Sequence, residues 1–124
     1  MKKFLTLSLA LGLFAASALA DAPKTVIHVI TVAFKEDAKP EQIQAALDAA
    51  QKLPEQYKGI LRVWTKSLKV QNVAEAKVKK THVIAMEFAD EKALKDYADS
   101  DAQKKWYELY TPIRLQSTTY DVTN

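Results

Sequence analysis

The sequence has no cysteine, and only two glycines and two histidines among its 124 residues. Without cysteine the chain has no disulfide framework, no zinc–thiolate or iron–sulfur site and no thiol nucleophile. Gly12 and Gly59 are too far apart to form a glycine-rich phosphate loop, and two histidines are too few for a histidine-rich metal cluster. The remaining composition, 48% hydrophobic and 27% charged, is typical of one globular domain. We therefore expect a single domain that works without a metal or a cofactor.

The first twenty residues have the pattern of an export signal. Lys2 and Lys3 precede an apolar run, and small residues in an A-x-A pattern stand before Asp21. This arrangement predicts a secretory signal peptide at 1–20, because the apolar run is too short for a stable membrane anchor. The alternative is an N-terminal membrane helix. We expect a mature domain of residues 21–124 that is periplasmic or secreted and is free of the membrane after cleavage.

Part of the positive charge belongs to that signal. The formal charge of the full sequence is +3, but removal of residues 1–20 takes away two lysines and leaves 16 basic and 15 acidic residues, a net charge of +1. Phosphate contacts need clustered lysine and arginine, so a near-neutral domain is a poor nucleic-acid binder. We expect no nucleic-acid partner.

The mature chain reads as strand, helix, strand, strand, helix, strand. β-Branched and aromatic residues predict the strands, and apolar residues at helical spacing, bounded by prolines, predict the helices. The predicted strands span 25–34, 60–68, 81–88 and 115–122, with one helix from Pro40 to Leu53 and a two-part helix between Asp90 and Tyr110. This order is typical of a ferredoxin-like α+β sandwich, in which one sheet carries two helices on one face.

The second helix carries two capping signals. Asp90 stands before its first part, and Ser100 stands before its second part, with Gln103 three residues later. A serine followed by glutamine at this spacing forms a capping box, in which each side chain bonds the backbone N–H of the other residue. We expect a break near Asp99 and reciprocal capping by Ser100 and Gln103.

Both faces of the predicted sheet are apolar. An antiparallel sheet with helices on one side normally alternates apolar and polar residues. The face opposite the predicted helices carries instead Val29 and Ala33 in the first strand, and Val83 and Ala85 in the third. A second copy of the same sheet would cover this face. We expect a homodimer through the sheet faces; the alternative is an unusually apolar sheet in a monomer.

Several features recur in a characteristic order: His28 in the first strand, Gly59 before the second, THVIAMEF at 81–88, Asp96–Tyr97 in the second helix and Tyr120–Asp121 near the end. In this order and spacing the chain resembles the stress-responsive A/B barrel (Dabb) family over residues 24–123, as a secreted bacterial member. The resemblance implies a ferredoxin-like subunit that dimerises sheet to sheet into an α+β barrel.

The family includes a plant polyketide cyclase, which closes a linear polyketide by an aldol step without cofactor or metal in a pocket between helices and sheet. The positions of its motif that match here are His28, His82, Tyr97 and Asp121. Its catalytic histidine, six residues after the tyrosine, corresponds to Gln103. An amide does not exchange protons at ordinary pH, so this departure argues against the cyclase reaction.

The predicted topology separates the candidate polar groups. The first strand is antiparallel to both the third and the fourth, so Asp121 is expected beside His28, and His82 toward the opposite end of the sheet. A carboxylate beside an imidazole selects its tautomer and favours its protonated form. The catalytic candidates are therefore His28, Tyr97 and Asp121. For ligand contact we expect these three together with Ile30, His82, Ile84, Trp106 and Thr119.

Two classes of function remain open. The preferred one is a periplasmic barrel that binds a small apolar or aromatic molecule, or that serves only as a stable structural module. The other is a cofactor-free enzyme, a polyketide cyclase or lyase, with His28 and Tyr97 as acid–base groups. If the protein is a binding or structural barrel, a hydrogen bond between His28 and Asp121 serves only to satisfy buried polar atoms and has no catalytic role.

Overall fold

The computed structural model of the protein describes residues 24–72 and 78–123. The predicted signal peptide at 1–20 and its cleavage before Asp21 lie outside the described residues. Within the two described ranges, no helix combines the length and the hydrophobicity that crossing a bilayer requires.

The element order agrees with the predicted β-α-β-β-α-β pattern. The strands are β1 (Val26–Phe34), β2 (Ile60–Ser67), β3 (His82–Phe88) and β4 (Arg114–Val122). The helices are α1 (Pro40–Gln51), the short α2 (Leu53–Gln56), α3 (Glu91–Tyr97) and α4 (Asp101–Tyr110), which is followed by a 3₁₀ turn over Thr111–Ile113. The strands form one antiparallel sheet in the order β2-β3-β1-β4. The ferredoxin-like α+β fold is therefore confirmed.

The core lies between one face of this sheet and the helices. Because side chains alternate along a strand, every second residue of β1 and β3 enters the core. Val26 and Val32 of β1 and Met86 and Phe88 of β3 are fully buried there. On the helix side, Trp106 donates its indole N–H to the carbonyl of Ala46 over 2.9 Å and so joins α4 to α1.

The helix caps follow the prediction with one change. Asp90 accepts a hydrogen bond from the backbone N–H of Ala93 (2.7 Å), and Ser100 accepts one from the N–H of Gln103 (3.2 Å). The Gln103 side chain, however, accepts from the N–H of Asp99 (2.8 Å) and not from that of Ser100. The prediction that the Gln103 side chain accepts from the N–H of Ser100 was therefore wrong. Asp99 has a φ of 63°, a left-handed conformation that turns its N–H toward Gln103 and ends α3.

Gly59 allows a close approach between the start of β2 and α3. A Cβ at this position would lie 2.5 Å from a ring carbon of Tyr57 and 2.9 Å from the Cβ of Ala93. The Tyr57 hydroxyl donates to the carbonyl of Ala93 over 2.7 Å, so the ring is held in this place. Only a residue without a side chain fits beneath it.

A β-bulge lies near the start of β4. Gln116 pairs with Ala33 and Arg114 pairs with Phe34, which leaves Leu115 as an extra residue. Simple alternation from Ser117 would put Leu115 on the helix-covered face. The bulge reverses this order: Leu115 is 54% exposed, and Arg114 shares the covered face with Phe34.

The opposite face of the sheet is uncovered within the described chain and is largely apolar. Trp64 is 38% and Tyr120 is 59% exposed on this face. Its buried acid, Glu87, accepts a hydrogen bond from Arg62 (2.6 Å), which holds the pKa of Glu87 below its usual range, and the Arg62 guanidinium lies 5.0 Å from the Trp64 ring centroid. Arg62 and Glu87 therefore pair with each other, and Lys66 lies toward the other end of β2, opposite Val83, so the middle of this face is apolar.

Candidate functional site

A cavity of about 140 Å³ lies between the helix layer and the β1–β4 side of the sheet. Its lining comes from three elements: the sheet supplies His28, Ile30, Arg114, Ser117 and Thr119; α3 and the break after it supply Leu94, Tyr97 and Ala98; α4 supplies Gln103, Tyr107 and Tyr110. Rings and aliphatic side chains form most of the wall, and hydroxyl, amide and guanidinium groups point to a ligand with both apolar and polar parts.

His28 and Asp121 form the pair that the antiparallel register predicts. They are direct partners across β1 and β4, and His28 Nδ1 lies 2.5 Å from the carboxylate of Asp121. The ring of His28 meets Phe88 edge to face at 5.9 Å between centroids, so packing and hydrogen bonding both orient it. The predicted proximity is confirmed, and the catalytic role of the pair stays a prediction.

The pairing determines what the imidazole can do. A carboxylate accepts the proton on Nδ1, and in the neutral ring this leaves Nε2 as the proton acceptor. His28 lines the cavity, so a ligand there meets a histidine with a defined tautomer. The arrangement can accept a hydrogen bond or a proton from a ligand hydroxyl.

Two buried tyrosines line this cavity. Tyr97 is 2% exposed and Tyr110 is 1% exposed. Burial raises the pKa of both phenols, and hydrogen bonds with Ser117 and Arg114 oppose this rise at Tyr110. The Tyr97 hydroxyl has no hydrogen-bond partner among the described residues. Buried polar groups are nearly always paired, so an unpaired hydroxyl beside a cavity is an exception of the kind that occurs at functional sites.

Gln103 has a structural task in the cavity wall. Its carbonyl oxygen accepts from Asp99, and its amide N–H lies 3.4 Å from the hydroxyl of Tyr107. Both ends of the amide are therefore engaged within the helix layer. This local role accounts for an amide at a position where the family resemblance places an imidazole.

The list of expected ligand contacts omitted Tyr107, Tyr110 and Arg114, which all line the cavity. Helical spacing could have found the tyrosines, since Gln103, Tyr107 and Tyr110 stand four and then three residues apart on one face of α4. No sequence signal indicates that Arg114 enters the cavity, because its position depends on the bulge in β4.

Of the predicted contact residues, the structure brings four to the cavity: His28, Ile30, Tyr97 and Thr119. Asp121 stands behind His28. The other three, His82, Ile84 and Trp106, lie outside the cavity. Ile84 is fully buried in the core, and Trp106 is turned toward α1 by its bond to Ala46.

His82 lies toward the other end of the sheet, as predicted. It pairs with Val32, four residues from His28 along β1, and its ring meets Phe34 at 5.3 Å between centroids. Partial burial lowers the pKa of His82. Its surroundings are separate from the cavity that His28 lines. In the part of the chain that the structure describes, no group of three or more histidine, aspartate or glutamate residues could hold a metal ion.

Comparison with known proteins agrees with this architecture. A sequence model of the stress responsive A/B barrel domain matches residues 26–124. The chain belongs to this family. No match is found among proteins of curated function. The predicted family is confirmed.

Solved structures of A/B barrel and ferredoxin-like proteins share the fold. A Dabb family protein from Mesorhizobium loti is 17% identical, with a TM-score of 0.64, over 81% of this chain and 96% of that one. A hydroxynitrile lyase from Passiflora edulis is 13% identical, with a TM-score of 0.70, over 82% and 94%. A dimeric ferredoxin-like protein of unknown function from Thermobifida fusca is 12% identical, with a TM-score of 0.64, over 81% and 91%. Identities this low show a common fold alone.

We predict that Tyr97→Phe leaves the free energy of unfolding unchanged or raises it. The substitution removes a hydroxyl that is buried without a partner, and such a group costs about 1–3 kcal/mol. The folded wild type also keeps the Tyr97 proton where the unfolded chain has lost it, so its stability falls as pH rises above about 10, the ordinary tyrosine pKa. The variant should lose that part of the alkaline destabilisation. Urea unfolding at neutral and alkaline pH measures both effects.

Trp106→Phe is the matched control for this prediction. It removes a buried donor that has a partner, the carbonyl of Ala46, and leaves a gap in the core. We expect it to lower the free energy of unfolding by about 2 kcal/mol or more. Equal destabilisation by the two substitutions would mean that the Tyr97 hydroxyl is satisfied in solution.

Proposed function

We propose that this protein is an exported, homodimeric A/B barrel that binds a small apolar or aromatic molecule in the cavity between its helices and its sheet. The observation that carries the proposal is the cavity itself, whose wall combines ring and aliphatic surface with the polar groups of His28, Arg114 and Thr119. The Tyr97 hydroxyl beside it is buried without a partner among the described residues, and a purely structural barrel has no need to leave such a donor unsatisfied.

The size and lining of the cavity support an aromatic ligand. An apolar cavity of about 150 Å³ is large enough for benzene, and the cavity here is about 140 Å³. Ile30 and Leu94 offer aliphatic surface, and Tyr107 and Tyr110 offer ring faces and edges. A six-membered ring with one polar substituent would fill this space and bring the substituent beside the polar groups of the wall.

Benzamide, a neutral ring with one polar group, is a suitable first probe. We predict that it binds the mature protein and shifts the NMR signals of the cavity residues. Thr119→Trp puts an indole at the exposed rim of the cavity and should weaken binding at least about tenfold, a change of about 1.4 kcal/mol. Thr111→Trp, the same substitution at an exposed position outside the lining, should leave binding unchanged. A wild type that binds neither benzamide nor its charged analogue benzoate, or equal loss in both variants, would refute a ligand site in this cavity.

The uncovered sheet face supports the homodimer. Ile27, Val29, Trp64 and Tyr120 form a continuous apolar surface on strands that span the width of the sheet. A second copy would bury this surface against its own equivalent, which is the usual symmetric solution for an apolar sheet face. The Thermobifida fusca structure with the same fold is described as dimeric, which is consistent with this arrangement.

We predict that Val29→Glu yields monomers or aggregates, because a charge buried across a dimer interface without a partner costs several kcal/mol. Tyr120→Glu is the second variant: Tyr120 is exposed in the single chain, so its replacement leaves the monomer core intact. Gln56→Glu makes the same charge change on α2, away from the sheet, and should remain a dimer. Native mass spectrometry of protein recovered from the periplasm measures the assembly state.

The same spectrum tests export. We expect a dimer of protomers that begin at Asp21. A wild-type monomer at micromolar concentration would contradict the barrel, and a protomer that retains residues 1–20 would contradict cleavage of the predicted signal peptide.

A second candidate function is a cofactor-free lyase. The geometry of His28 favours it, since Asp121 holds Nδ1 and leaves Nε2 for a ligand in the cavity that the Tyr97 phenol also lines. In a hydroxynitrile, Nε2 would accept the hydroxyl proton while the bond to the nitrile carbon breaks; the carbonyl forms, and cyanide leaves with the bonding electron pair. The Passiflora edulis protein of the same fold is a hydroxynitrile lyase. Cyclase chemistry is less favoured, because the Gln103 amide is engaged in capping and exchanges no proton.

The two histidines make a matched test of this candidate. With the hydroxynitrile of benzaldehyde as substrate, we predict that His28→Asn lowers the rate of cyanide release by about 10²–10⁴, the contribution of one general base. His82→Asn, at the other end of the sheet, should keep the wild-type rate. No turnover by the wild type, or equal loss in both variants, would remove the lyase candidate and leave the binding function standing.

A further inference from the structure

Arg114 is a cation in the cavity wall without an anionic partner. The bulge at Leu115 places it on the helix-covered face, where its guanidinium carbon lies 5.4 Å from the ring centroid of Tyr110. No carboxylate of a described residue lies within 4.0 Å of its nitrogen atoms. The other arginine, Arg62, is bonded to Glu87 at 2.6 Å. The charge of Arg114 is therefore available to a molecule in the cavity.

We infer that the cavity selects a small carboxylate attached to an apolar ring, with Arg114 as the residue that binds the carboxylate. This inference rests on the proposed ligand-binding function and adds the charge of the ligand to it. The specificity comes from this chain's own arginine, whose place in the wall depends on the bulge of β4.

The polar part of the wall is rich in donors and has no free acid. No aspartate or glutamate of the described chain is among the lining residues, and the nearby carboxylate of Asp121 is engaged by His28. The hydroxyls of Ser117 and Thr119 lie on the same wall as Arg114. Each can donate a hydrogen bond to an anion.

Guanidinium and carboxylate are geometrically matched. The planar fork of arginine gives two parallel N–H···O bonds to a carboxylate, and such charged pairs are stronger than bonds between neutral groups. The hydroxyls of Ser117 and Thr119 can add further donors to the same oxygens. A neutral amide of the same shape keeps the contacts of the ring, loses the charge and brings an NH₂ group toward a cation.

Benzoate and benzamide are therefore the discriminating pair of probes. At neutral pH, where benzoate is ionised, we expect benzoate to bind the mature protein at least about tenfold more tightly than benzamide in calorimetric titrations. Arg114→Gln should abolish this preference, measured as the ratio of the two affinities in the same variant. Arg114→Lys keeps the positive charge but lacks the planar guanidinium, so it should retain part of the preference for benzoate. Lys104→Gln removes an exposed positive charge on α4 and should leave the preference intact.

The outcomes separate this inference from the function on which it rests. Benzamide binding without a preference for benzoate, or a preference that survives in Arg114→Gln, would overturn the role of Arg114 and keep the ligand site. Binding of neither probe would overturn both. Acetate in place of benzoate tests the ring: if acetate binds as tightly, the carboxylate is recognised alone, and the ring part of the inference is wrong.

Discussion

The position of the helix layer depends on one buried hydrogen bond, from the indole N–H of Trp106 to the carbonyl of Ala46. Water cannot replace the carbonyl inside the core, so the loss of this bond would leave the buried indole N–H without a partner. The bond orients the indole ring, and Tyr110 stacks on it with 4.5 Å between centroids and 12° between planes. Arg114 in turn lies over the ring of Tyr110. The contact between Trp106 and Ala46, which lies outside the cavity, thus helps to position Tyr110 and Arg114 in the cavity wall.

The molecule satisfies its buried polar groups in one place and leaves them open in another. Trp106 and Tyr57 donate to backbone carbonyls, and Glu87 accepts from Arg62. Tyr97 is equally deep, and its hydroxyl has no partner within the described chain. This unpaired hydroxyl beside the cavity is a local loss of stability that a bound ligand could restore.

Membership of the A/B barrel family accounts for the scaffold but not for the chemistry. Structures of the same fold at 12–17% identity carry different descriptions, among them a lyase and proteins of unknown function. Function therefore depends on the side chains of this chain's own cavity. Here these are a carboxylate-oriented His28, the buried phenols of Tyr97 and Tyr110, an amide engaged in capping, and Arg114, which has no carboxylate partner among the described residues.

Much of the fold was predictable because it depends on local rules. β-Branched runs, period-two burial and the caps at Asp90 and Ser100 are properties of short segments, and the antiparallel order of the strands then places Asp121 beside His28. These signals determined the strands, the helices and the one close polar pair of the candidate site.

Tertiary structure alone decided the rest of the wall. Simple alternation along β4 would bury Leu115 and expose Arg114. The extra residue of the β-bulge puts Arg114 on the covered face and Leu115 on the exposed one. Such a change cannot be read from β4 alone, because the register depends on the partner strand as well. Trp106 lies on the same helix as the cavity tyrosines, yet it turns away to a carbonyl that is distant in sequence. The sequence by itself determined which segments form the sheet and the helix layer. Which aromatic and charged groups enter the cavity was decided by packing between elements, since contacts of that range are not encoded in any one segment.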